Sequence, residues 1–201
     1  MSPWQSAVKQ ADQLGESPFR HPDEQMLYWV DIPGRQLRRA NANVGTVESW
    51  AMPQEPGCIA PARSGGLVVA LRDGIYRARQ WGGALDLVLR FDHDTATTRF
   101  NDGKADALGR LWAGTMYEPR DQAKAQLFSV DCRPYNGQGG KPLVRRKAGD
   151  ATIANGLAGN APPSARLSTT PSAVRKPQAG SLESEKLTNR MMSLWCRPTR
   201  P

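Results

Sequence analysis

Three β-rich runs recur in this chain at nearly even spacing, and that repeat limits the folds open to it. They are Leu27-Tyr28-Trp29-Val30-Asp31-Ile32, Leu67-Val68-Val69-Ala70-Leu71 and Leu111-Trp112-Ala113-Gly114-Thr115-Met116, whose starts lie 40 and then 44 residues apart. Each follows a turn signal: Pro22-Asp23-Glu24-Gln25, Ser64-Gly65-Gly66 and Ala107-Leu108-Gly109-Arg110. The units also agree in internal order. After the first run come Pro33-Gly34 and then Gln36-Leu37-Arg38-Arg39-Ala40. After the second comes Arg72-Asp73-Gly74, a strong hairpin signal, and then Ile75-Tyr76-Arg77-Ala78. After the third a longer loop leads to Gln126-Leu127-Phe128-Ser129-Val130. A short run closes each unit: Val47-Glu48-Ser49-Trp50, Leu85-Asp86-Leu87-Val88-Leu89 and Leu143-Val144-Arg145.

With one more strand ahead of each Leu run, every unit becomes a four-stranded antiparallel meander, the pattern of a propeller blade. A β-sandwich also spaces short strands regularly and stays open on spacing alone. Repetition of internal order favours the propeller. Its first strands line the central channel. Those strands would come from Leu14-Gly15-Glu16-Ser17-Pro18, Glu55-Pro56-Gly57-Cys58-Ile59, Arg99-Phe100-Asn101-Asp102-Gly103-Lys104 and Ile153-Ala154-Asn155-Gly156-Leu157. Glu16, Cys58, Asn101 and Asn155 then hold comparable places near successive inner-strand starts. One carboxylate and two side-chain amides offer oxygen donors, which suit Ca²⁺, Mg²⁺ and Mn²⁺. No His or Cys cluster points to a dedicated zinc site. Other readings of these residues exist: Glu16 before Ser17-Pro18 also fits a surface turn, and Asn101-Asp102-Gly103 is an ordinary turn sequence. Cys58 reads as a small buried residue, and His21 and His93 as surface residues. Trp29, Trp50 and Trp112 read as packing between blades. Asn136-Gly137-Gln138-Gly139-Gly140 reads as a flexible hairpin loop, since no Lys-Ser/Thr follows to make a phosphate loop.

The same segments resemble the SMP-30/gluconolactonase/regucalcin family of six-bladed propeller sugar lactonases. The matching text is Leu14-Gly15-Glu16-Ser17-Pro18, Leu27-Tyr28-Trp29-Val30-Asp31-Ile32, Arg99-Phe100-Asn101-Asp102-Gly103-Lys104, Gly109-Arg110-Leu111-Trp112-Ala113-Gly114-Thr115-Met116 and Ala154-Asn155-Gly156-Leu157-Ala158. Ser17 departs from the glycine usual there. The resemblance implies an all-β fold and hydrolysis of a small-molecule sugar lactone assisted by one divalent ion (Ca²⁺, Zn²⁺, Mn²⁺ or Mg²⁺). It implies metal ligation by Glu16 and Asn155, substrate contacts from Arg99, Asn101 and Glu118, and an orienting role for Asp102. Pro119 competes with Glu118 for its register. The family's further ligand, an aspartate that assists proton transfer, lies on a later blade and has no counterpart here. No catalytic residue is therefore assigned.

The motif pattern stops at about Ala158. Residues 159–201 hold 10 Ser+Thr and 6 Pro among 43 residues, and carry 7 Lys+Arg against 2 Asp+Glu. Residues 1–158 hold 20 Lys+Arg and 17 Asp+Glu, so most of the formal charge of +8 comes from the last fifth. The expectation is a truncated propeller of three blades plus one inner strand over 1–158, followed by an irregular basic tail over 159–201. We read the break as a reading-frame change; the gene's other two frames after codon 158 would then encode further Asp-Gly turns and blades. An open ring implies little turnover, and self-association through unpaired blade edges is the alternative function. The tail lacks basic residues interleaved with aromatics, so no nucleic-acid partner is expected. No apolar run reaches bilayer-spanning length and no signal peptide is evident. Three scattered cysteines fit a reduced, cytoplasmic setting.

Overall fold

The computed structural model describes residues 8, 11–41, 45–134 and 140–157. Among the described residues, twelve strands form three four-stranded antiparallel meanders. The first contains β1 (Gly15–Arg20), β2 (Leu27–Asp31), β3 (Gln36–Ala40) and β4 (Val47–Ala51). The second contains β5 (Pro56–Pro61), β6 (Leu67–Leu71), β7 (Gly74–Ala78) and β8 (Leu85–Arg90). The third contains β9 (Thr98–Ala105), β10 (Leu111–Tyr117), β11 (Ala125–Asp131) and β12 (Leu143–Ala151). Each sheet runs in sequence order, as the repeat predicts. The irregular tail expected over 159–201, and most of the glycine-rich loop at 136–140, lie outside the described residues.

Strand order sets burial. The first strands β1, β5 and β9 pack on one another at the centre. The fourth strands face outward: β12 is exposed along most of its length, including Leu143 and Val144. One core layer joins the first two sheets through Tyr28, Val30, Leu37, Ile59, Val69 and Leu71, with Trp50 and Trp81 packed against it. A second joins the second and third sheets through Cys58, Ile75, Phe100, Ala113 and Val130. There Phe91 meets Phe100 and Phe128 edge-on at centroid distances of 5.0 and 4.8 Å. Each fully buried large apolar side chain contributes about 1.5–3 kcal/mol. These layers are what hold the inner strands in place.

The structure differs from the expectations at three points. His21 is buried, not on the surface, at 3% exposure. Its Nδ1 accepts the Asp23 and Glu24 N–H groups at 3.4 and 3.3 Å, so the turn folds over the ring. The segment expected as a fourth inner strand makes a single antiparallel bridge, Met116 to Ile153. Trp50 does pack between sheets, but among the described residues Trp29 and Trp112, though buried, are in neither of these two layers. Instead each indole N–H donates to an aspartate, Asp12 at 2.6 Å and Asp106 at 2.9 Å.

Ser17, the departure from glycine, explains itself in the backbone. It sits at a bulge in the β1–β2 pairing with φ +52°, a conformation that favours glycine. Its hydroxyl compensates, accepting the Ile59 N–H at 3.2 Å across to the next sheet. Ser17→Ala would lose this bond and keep the strain, and is expected to cost about 1–2 kcal/mol in urea denaturation. Ser17→Gly would lose the bond but relieve the strain, and is expected to cost measurably less than Ser17→Ala.

Candidate functional site

Two linked groups of polar side chains gather near the starts of the inner strands. The first centres on Glu16, which the β1 bulge follows immediately. Its carboxylate makes no hydrogen bond or ion pair among the described residues. Burial, then the nearby Asp102 charge, push its pKa up to about 7, against an opposing pull from Arg99. Asp102 is more fully engaged: Oδ1 accepts the Gly103 N–H at 2.8 Å and Oδ2 the Leu157 N–H at 3.0 Å. It therefore ties the Asn155-Gly156-Leu157 segment to β9. Asn155 is exposed, and its Oδ1 accepts the Gly156 N–H at 2.8 Å. A carbonyl oxygen carries a second lone pair, so Asn155 keeps acceptor capacity.

The second group is Arg99, Asn101 and Glu118. Arg99 is buried, and burial lowers its pKa. Its Nη1 donates to the Phe100 carbonyl at 2.9 Å and to Asn101 Oδ1 at 3.1 Å. Its Nη2 faces Met116 Sδ at 3.3 Å, and its Nε lies 3.4 Å from Glu118 Oε1. Asn101 is also buried, and its Nδ2 donates to the Ala154 carbonyl at 3.3 Å. The asparagine amide thus joins the arginine to the segment that carries Asn155. All six residues singled out by sequence fall into these two groups.

Sequence reasoning missed Arg72, which sits at the β6–β7 turn. Its guanidinium donates to Glu55 at 3.0 Å, to the Thr95 carbonyl at 2.7 Å, and to both Glu118 oxygens at 2.9 and 3.2 Å. Arg35 adds a second donor to Glu55 at 3.2 Å. A cleft of about 650 Å³ opens here, lined by Arg35, Glu55, Arg72, Asp73, Arg90 and Glu118 among others. It meets the candidate site only at Glu118. The one signal that pointed to Arg72 was Arg72-Asp73-Gly74, which reads as a hairpin turn.

Among the described residues, no group of three His, Cys, Asp or Glu is placed to hold a metal. The carboxylate of Asp102 lies near that of Glu16, and oxygen donors of this kind suit a hard divalent ion. A cation there would also offset the burial and repulsion that hold Glu16 partly protonated. Because its folded pKa is raised from 4.5 to about 7, proton binding by Glu16 favours the fold. That contribution is fully present below the unfolded value and is lost as pH rises through 7. With chelator present, Glu16→Gln is expected to stabilise the chain at pH 8 by on the order of 1–2 kcal/mol after allowance for solvent screening. Near pH 4.5 it is expected to change little. Urea denaturation at both pH values checks this.

Three contiguous four-stranded meanders with converging first strands define a β-propeller fold. The chain belongs to the SMP-30/gluconolactonase/LRE-like region family, whose model matches residues 14–174. The matched segment extends beyond Ala158, where the legible motifs end. A 6-deoxy-6-sulfogluconolactonase from Pseudomonas putida is 38% identical over 151 residues, covering 75% of this chain and 49% of that protein. A regucalcin from Danio rerio is 30% identical over 151 residues, covering 75% of this chain and 48% of that protein. In structure, a calcium-binding regucalcin from Agrobacterium tumefaciens superposes with a TM-score of 0.68 at 24% identity, covering 77% of this chain and 49% of that one. The chain therefore spans about half the length of the curated relatives it matches.

Proposed function

We propose that this chain carries part of a divalent-metal-assisted site for hydrolysis of a sugar lactone. The observation that supports it most is the Glu16 carboxylate: raised in pKa by burial and Asp102, without a protein partner among the described residues, and set at the start of an inner strand. Glu16 and Asn155 would hold the ion, with Asp102 keeping the Asn155 segment in place. When bound, such an ion polarises a lactone carbonyl and acidifies water. Arg99, Asn101 and Glu118 would orient the sugar. Arg99 brings positive charge and Glu118 an acceptor, a combination that pairs with vicinal hydroxyls. Relatives named for lactonase activity support the same substrate class.

Two protein ligands hold an ion weakly, so we expect low turnover from these 201 residues. Incubation with D-gluconolactone and Mn²⁺ or Ca²⁺, followed by acid release, is expected to give a rate only slightly above the spontaneous one. A robust metal-dependent rate would contradict the weak-site reading, and loss of all metal binding would contradict the site itself. A cytoplasmic setting is part of the proposal.

A second reading is a non-catalytic, self-associating propeller segment. Leu143 and Val144, exposed at 57% and 38% on the outer strand β12, favour it. Under that reading size-exclusion chromatography shows concentration-dependent oligomers, and Leu143→Lys with Val144→Lys returns the chain to monomer.

A further inference from the structure

Arg72 lies on the second sheet, yet its strongest contacts are with other parts of the molecule. Its Nη1 and Nη2 grip both oxygens of Glu118, which follows β10 in the third sheet. Its Nε holds Glu55, which precedes β5, and its Nη1 also reaches the Thr95 carbonyl, ahead of β9. Its own carbonyl is bonded to the His93 ring at 2.8 Å. One guanidinium thus fastens three connections at the end of the sheets where the inner strands begin. A bidentate arginine–carboxylate pair fixes direction as well as distance.

We propose that Arg72 is a positioning residue for the lactone site: it fixes Glu118, which holds Arg99, which in turn orients Asn101 and the Ala154-Asn155 segment. The proposal rests on the lactone reading for its ligand, and each link is a contact within the protein. Glu118 Oε1 is 3.4 Å from Arg99 Nε. Arg99 Nη1 donates to Asn101 Oδ1, and Asn101 Nδ2 donates to the Ala154 carbonyl. Arg99 is buried and cannot replace a lost carboxylate with bulk water at no cost. Without Arg72, Glu118 is free to turn to solvent, and the chain of contacts begins to loosen at its outer end. Lysine in place of Arg72 could reach one carboxylate oxygen but could not hold both, so it would rescue only part of the effect.

The test uses the full chain with Arg72→Gln, Arg72→Lys, Glu118→Gln and the Arg72→Gln/Glu118→Gln double variant. Two readouts are followed: the NMR signal and solvent exchange of Arg99 Nε–H, and the dissociation constant of D-gluconolactam, whose amide resists hydrolysis. The Trp112 indole N–H, held by Asp106, reports whether the third sheet stays folded. Arg72→Gln is expected to shift the Arg99 signal, speed its exchange and weaken lactam binding about tenfold, with the Trp112 signal unmoved. Arg72→Lys is expected to fall between it and the wild type. The double variant is expected to bind no more weakly than Glu118→Gln alone, because both changes break the same link. An unmoved Arg99 signal in Arg72→Gln, or additive losses in the double variant, would overturn the proposal. A wild-type chain that does not bind the lactam would overturn the lactone reading instead, and the Arg99 signal alone would then decide the role of Arg72.

Discussion

Gly57→Ala is expected to destabilise the chain by roughly 3 kcal/mol or more, among the largest losses that a single methyl group can cause. Gly57 lies on β5, where the second and third sheets approach through their inner strands. A Cβ there would stand 2.3 Å from the Phe100 carbonyl carbon, 2.4 Å from its oxygen and 2.7 Å from its Cβ. Two of these atoms are backbone, so no rotamer change relieves the clash. The strand itself must move, and Phe100 lies between Arg99 and Asn101. The same substitution is therefore expected to disturb the site as well as the fold. Truncation of Phe100 to alanine leaves all three clashing atoms in place. The Gly57→Ala/Phe100→Ala variant is accordingly expected to be less stable than Gly57→Ala, not rescued by the smaller side chain. Urea denaturation followed by tryptophan fluorescence checks both expectations; a double variant more stable than Gly57→Ala would show that the ring rather than the backbone is the obstacle.

Glu16→Ala is expected to abolish detectable divalent-ion binding, since the site is already weak and its charge comes from this carboxylate. The substitution removes a carboxylate near the inner-strand starts that has no partner among the described residues. Asp102→Asn should act differently. Asp102 spends both oxygens on the Gly103 and Leu157 N–H groups. An amide can still accept one of them, so a loss of about 10–100-fold is expected, through displacement of the Asn155 segment. Isothermal titration with Mn²⁺ separates the two. The paired sign is also informative: Glu16→Gln weakens metal binding, yet stabilises the chelated protein at pH 8. A plain surface glutamate would do neither.

The order of the strands was legible because the sheets follow one another along the chain. Local turn chemistry and alternation of side chains are sufficient to mark Leu27, Leu67 and Leu111 as equivalent starts. Glu16 and Asn101 were legible for the same reason, since the repeat places them near inner-strand starts. Arg72 was not, because its meaning depends on Glu118, 46 positions away in another sheet. Nothing in Arg72-Asp73-Gly74 separates a hairpin turn from a hairpin turn with a far-reaching arginine. The burial of His21 escaped notice for a related reason. Pro22-Asp23-Glu24-Gln25 announces an exposed turn, but the ring itself packs against the stacked pair of Phe19 and Tyr28 and accepts the turn's own N–H groups. Ile153 to Leu157 carried an inner-strand motif, yet the described segment makes one bridge to Met116, with the Ala154 N–H on the Thr115 carbonyl at 3.0 Å, and is held beyond that by the Asn101 and Asp102 side chains. Side-chain anchors of that kind leave no periodic trace.

The proposed function stands or falls on a divalent ion bound between Glu16 and Asn155, beside Arg99, Asn101 and Glu118. Titration of the ¹⁵N-labelled chain with Mn²⁺, followed by paramagnetic broadening of amide signals, tests it most directly because it does not depend on turnover. Residues 15–17, 102 and 154–156 are expected to broaden first, and Glu16→Gln is expected to remove the effect. Broadening centred instead on Glu55, Asp73 and Glu118 in the cleft, or no site-specific broadening at all, would contradict the claim.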